Sequence, residues 1–200
     1  LIVPTREMAT AIAKEWNAQQ DTIDKSTLWL TGYASLALDI ASTQREALLD
    51  ELVSYGETDL LFYHEDQDPT LIEQQAQHWF PWIEWARKRF GTCYHIASGI
   101  MPVTQPDDNR DKHLAALGDA TIWQLSGLAS AVKLSGSFIL AMAFMEAHLS
   151  HERLYNLCQL EEAHNQRKWG IDAEAAYRAE QLQTELAHLQ QWRDLLGNIH

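Results

Sequence analysis

Apolar residues recur at helical spacing through most of this chain. After Thr5, a capping residue, Met8, Ala11, Ile12 and Trp16 fall on one face, which predicts a helix to about residue 18 with Trp16 buried. The same spacing predicts helices over about 31–40 and 43–55, the latter with Leu48, Leu49, Leu52 and Val53 on one side and Gly56 as its stop. Residues 70–90 read as one long helix with a stripe at Ile72, Gln75, Ala76, Trp79, Ile83, Ala86 and Phe90, kinked at Pro81 and ended by Gly91. Three stretches read as strands: Leu1-Ile2-Val3, closed by Pro4; the apolar run 59–64; and the loosely alternating run 93–100. An acidic loop, 65–69, follows the second of these. Residues 101–108, with Pro102 and Pro106, form the best linker. Beyond them only helices are expected, over about 107–118, 121–149, 150–169 and 172–196. The pattern predicts an α+β fold, with a small N-terminal α+β domain (1–104) and an all-helical bundle domain (105–200).

The composition is that of a globular protein, 46% apolar and 22% charged over 200 residues. The net charge of −13 is concentrated in residues 1–70. Such a chain repels phosphate and is a poor nucleic-acid binder, while a partner with a basic face would suit it. Cys93 and Cys158 are too few and too far apart for a disulfide framework or a cysteine zinc site, and both are expected to be buried. The opening Leu1-Ile2-Val3 reads like the middle of a strand, so further residues are expected to precede it. A targeting peptide would lie among them.

Residues 122–145 are the most apolar stretch. Lys133 near the middle and the small residues Ser126, Gly127, Ser130, Ser135, Gly136 and Ser137 argue for a buried central bundle helix rather than a membrane span. Glu161-x-x-His164 and Glu185-x-x-His188 have the spacing of carboxylate-bridged di-iron sites and offer an alternative, a helical-bundle metalloprotein. Only a single corner separates the two motifs, which leaves no room for the intervening helix usual in such bundles. His148, His151 and Glu152 form a weaker group of the same kind, better read as a polar turn. No phosphate-binding loop, dinucleotide fingerprint or Gly-x-Ser-x-Gly elbow is present, so neither a cofactor nor a catalytic residue is expected. Eight tryptophans without a catalytic motif point instead to partner binding; Trp79, Trp82 and Trp85 recur every third residue.

One stretch combines a charged helix with an abrupt stop. Residues 160–169 end in Arg167, Lys168 and Trp169; Gly170 breaks the helix and Asp172 caps the next, with Glu174 in its first turn. Trp169-Gly170 is therefore a corner between two helices.

Leu160-Glu161-Glu162, Gln166, Lys168-Trp169-Gly170 and Glu174 resemble the signature of the "ATP twelve" family of ATP synthase assembly chaperones. The likeness runs along nearly the whole chain. It takes in Val3-Pro4-Thr5, Glu15-Trp16, Gln19-Gln20-Asp21-Thr22-Ile23, Leu30-Thr31 and Leu38-Asp39. It continues through Thr58-Asp59-Leu60, Tyr63, Trp79, Pro81, Ile83-Glu84-Trp85-Ala86, Arg89, Gly91 and Ile100-Met101. Phe80 stands where the family tends to carry Asp. The resemblance implies a non-enzymatic chaperone that binds the free alpha subunit of the catalytic sector and prevents its aggregation before it joins beta. It implies the bacterial cytoplasm as the site of action, or the mitochondrial matrix if a transit peptide precedes residue 1. Glu161, Glu162, Asp172 and Glu174 are the expected contact residues, and Trp16, Trp169 and Gly170 the expected structural ones.

Overall fold

The structure, a computed structural model, describes residues 1–99 and 101–197. Its helices begin where the sequence supplies caps. Thr5 accepts from the Met8 amide and opens α1 (Arg6–Asn17). A 3₁₀ turn, Lys25–Thr27, leads into α2 (Trp29–Leu36), which runs on as a π-helical turn, Ala37–Ala41. Next come α3 (Arg45–Tyr55), α4 (Pro69–His78), α5 (Phe80–Phe90) and α6 (Asp108–Leu117). α7 (Ile122–Ser135) opens on a full capping box between Thr121 and Gln124. α8 (Phe138–Met145), α9 (His151–Cys158), α10 (Leu160–Trp169) and α11 (Ala173–Leu196) complete the chain.

Three expected long helices are each divided. The stretch 70–90 breaks at Trp79, two residues before Pro81, and α5 then ends at Gly91 as expected. The apolar stretch breaks at Gly136, whose φ of 69° makes a sharp corner that a side chain would oppose. The stretch 150–169 breaks at Gln159. Lys133 is exposed and pairs with Glu51 at 3.4 Å, which accounts for a charge inside an apolar run. No helix among the described residues is long and apolar enough to cross a membrane. α7 is the central member, packed against α2, α3, α8, α9 and α11, and α8 is buried from Phe138 through Phe144.

Little of the expected β-structure forms. Among the described residues the sheet is one parallel pair, β1 (Tyr63–His64) against β2 (Ala97–Ser98). Residues 60–62 are a 3₁₀ turn, because the Asp59 carboxylate caps the Leu61 amide and curls the chain. Leu1-Ile2-Val3 forms no strand: no described strand runs beside it, and Leu1 and Ile2 are exposed. The expected third strand survives only as β2, and Ile100, its last residue, lies outside the described residues. The fold is thus mostly helical with a small β element. Buried side chains from α1 through α11 form one continuous cluster, with Trp79, Trp192, Phe62, Phe138 and Phe144 the largest.

The turn from α8 to α9 holds the one non-glycine residue at positive φ among those described, Ala147 at 61°. This conformation costs an alanine roughly 1 kcal/mol. Ala147→Gly is therefore expected to raise stability, by up to about 1 kcal/mol. A lowered urea midpoint would show that the methyl group matters more than the strain.

Candidate partner-binding site

The stretch 160–175 forms the corner expected of it. α10 ends at Gly170, whose φ of 87° and ψ of 173° are open only to glycine. The Asp172 carboxylate then accepts from the Ala175 amide at 2.7 Å and starts α11. α10 lies along α4 through polar contacts. The Gln75 side-chain amide donates to Glu161 at 2.6 Å, Arg167 donates to Gln74 at 3.0 Å, and Asp68 pairs with both His164 (3.0 Å) and Lys168 (3.2 Å). Asp68 also caps α4 through the Thr70 amide. The hydrogen bond from His164, and then that from Lys168, hold the Asp68 carboxyl down at about 2. Burial pushes the Glu161 carboxyl up, and the bond from Gln75 opposes it.

The four expected contact acids therefore differ in availability. Glu161 is half-buried and turned inward to Gln75. Glu162 and Glu174 are exposed, bonded to Gln166 and Arg178 on their own helices, and Asp172 is exposed at the cap.

The structure corrects several expectations about burial. Trp16 is 45% exposed, its indole N–H donating to the Thr31 hydroxyl at 3.0 Å. Beside it, Glu15 accepts from the Leu30 and Thr31 amides and holds the start of α2, a role its polarity on an apolar face concealed. Trp169 is 78% exposed, so it is not held in the core. Cys93 is exposed, while Cys158 is half-buried with its thiol pushed up to about 11 by burial. Asp68 could have been read from the sequence as a cap before Pro69, but its partners on α10 could not.

The metalloprotein alternative fails on placement. Glu161 and His164 face α4, whereas His188 stacks on Trp29 of α2 at 5.0 Å and bonds to the Thr184 carbonyl. Among the described residues no group of three or more His, Cys, Asp or Glu could hold a metal ion. His164 is also buried and hydrogen-bonded to Asp68.

Comparison with known proteins places this arrangement. The model of the ATP12 chaperone protein family matches residues 1–87. The crystal structure of Atp12 from Paracoccus denitrificans superposes with a TM-score of 0.91 at 31% identity, covering 98% of this chain and 84% of that one. This chain belongs to the ATP12 chaperone family. An aspartate-to-lysine mutant of the Paracoccus protein matches equally well, at 31% identity and a TM-score of 0.91 over 98% of this chain and 83% of that one. A protein from Agrobacterium tumefaciens, described as a candidate chaperone, matches at 25% identity and a TM-score of 0.88, covering 98% of this chain and 73% of that one. The family model thus covers the N-terminal part of the chain, and the likeness in fold extends over 98% of it.

Proposed function

We propose that this chain holds the free alpha subunit of the F-type ATP synthase catalytic sector and keeps it from aggregating until it meets beta. The chain is an ATP synthase assembly chaperone, and the observation that carries this is its family membership over nearly its full length. An orphan subunit exposes an apolar interface, which is an aggregation hazard. A chaperone that must later let go is best served by polar, charge-assisted contacts. The exposed acids Glu162, Asp172 and Glu174 supply these, with Glu161 orienting α10 on α4. The role requires no catalysis. We place it in the bacterial cytoplasm, or in the mitochondrial matrix where a transit peptide precedes residue 1.

The direct test is capture of separately expressed ATP synthase subunits: alpha is expected to bind and beta is not. Glu162→Lys and Glu174→Lys are expected to fold normally, since surface substitutions change stability by about 0.5 kcal/mol or less. Both are expected to protect isolated alpha poorly, because reversing an interfacial charge costs several kcal/mol. High salt should restore part of the protection, since it screens exposed charges beyond about 10 Å. Wild-type protection by both variants would mean that these acids are only a solvated face.

A further inference from the structure

The α10–α11 corner carries more than acids. Within nine residues it exposes Trp169 (78%), Ile171 (55%) and Tyr177 (62%), three of the most exposed large apolar side chains among the described residues. A soluble surface seldom groups such residues without a use for them. Trp169 is also held in place: Lys168, tied to Asp68 at 3.2 Å, lies 5.5 Å from its ring centre. Gly170 and the Asp172 cap fix the chain on its far side. An aromatic held in position before binding loses little entropy when it binds.

The charges around these residues are unmatched in one direction. Each base of the corner already has a partner: Arg167 donates to Gln74, Lys168 to Asp68 and Arg178 to Glu174. Glu162, Asp172 and Glu180 have no cationic partner among the described residues. What fits is an apolar face with a basic rim.

We infer that Trp169, Ile171 and Tyr177 are the apolar anchor of the chaperone, seated on an apolar, lysine- and arginine-rimmed face of the alpha subunit. This rests on the alpha-subunit reading above. The acids then steer and align the encounter, while the three side chains set how long the complex lasts.

The experiment measures binding of purified isolated alpha subunit by wild type, Trp169→Ser/Tyr177→Ser and Trp169→Phe, at low and high salt. The double variant is expected to lose about thirtyfold or more in affinity at both salt concentrations, the scale of a lost aromatic hot spot. Its thermal midpoint should match wild type, because both side chains face water, and Trp169→Phe should retain most of the affinity. As a measurement independent of those variants, Ile171→Cys in a Cys93→Ser background, labelled with an environment-sensitive dye, is expected to shift to the blue when alpha is added. Binding by the double variant within twofold of wild type, or a dye that does not respond, overturns the anchor and leaves the chaperone reading standing. Failure of wild type itself to bind alpha overturns both. Concentration-dependent self-association of wild type that the double variant abolishes would assign the patch to a second copy of this chain and overturn the proposal.

Discussion

Trp79→Ala is expected to lower the stability of the protein by about 3–5 kcal/mol, the usual cost of deleting a large core aromatic. Trp79 is fully buried where α4 gives way to α5. Its indole N–H donates to the Leu157 carbonyl of α9 at 2.9 Å, and its ring lies 5.7 Å from that of His64 in β1. One side chain thus joins the α4–α5 break, the small sheet and the helix that leads into α10. Alanine leaves a cavity and removes the donor from a buried carbonyl, two losses of the kind that produce large destabilisations. Trp16→Ala is the internal comparison, because Trp16 is nearly half exposed and its one hydrogen bond joins two surface hydroxyl and indole groups. Urea denaturation of both variants decides the matter. Equal shifts in midpoint would show that Trp79 is not the joint described here.

The contrast between those two tryptophans also marks what the sequence could reveal. Both lie on helical apolar stripes, and spacing alone assigns both to the core. Burial is decided by what a helix packs against, and Trp16 meets the first turn of α2 through Thr31 while much of its ring stays exposed. The same holds for Trp169, whose corner was legible from Gly170 and Asp172 but whose exposure was not. Helix starts were readable wherever a side chain caps its own helix, as at Thr5, Thr121 and Asp172. Breaks inside apolar runs were harder. Gly136 reads as a tolerated small residue until the chain must turn there, and the break at Trp79 carries no local signal beyond Pro81. The run 59–64 shows the commonest ambiguity: a short apolar stretch fits a strand or a buried turn equally well. Asp59 decided for the turn. The two Glu-x-x-His motifs are correctly spaced on their helices, but spacing along a helix does not say which neighbour its face meets. One motif meets α4 and the other α2. The agreement in family depended on an ordered series of short matches, which survives such local errors because it does not rest on any one of them.

Asp59→Asn is expected to destabilise the protein by more at pH 4 than at pH 7. Asp59 is fully buried. One carboxyl oxygen accepts from the Leu61 amide at 3.0 Å, and the other accepts from the Ile139 amide at 3.0 Å, at the start of α8. An asparagine must turn its NH₂ towards one of these two N–H donors, which leaves buried polar groups unpaired at a cost of about 1–3 kcal/mol. The pH dependence follows from the carboxyl's own titration. Burial pushes Asp59 up from 3.8 to about 6, against the hydrogen bonds from Ile139, Ser137, Leu61 and Phe138 that favour the anion. The folded protein therefore holds this proton more tightly than the unfolded chain does. Between about pH 4 and 6 the native state binds more protons, so the contribution of Asp59 to stability is full at the acid end and lost as the pH rises through 6. A shift of this size corresponds to about 3 kcal/mol across the window. Asparagine does not titrate, so the difference between the two proteins, taken pH by pH, removes the other carboxylates and isolates Asp59. Urea midpoints at pH 4, 5, 6 and 7 measure it. A difference that stays constant over that range would mean that Asp59 is an ordinary anion held by the α8 helix start, and one that widens towards pH 7 would reverse the sign argued here.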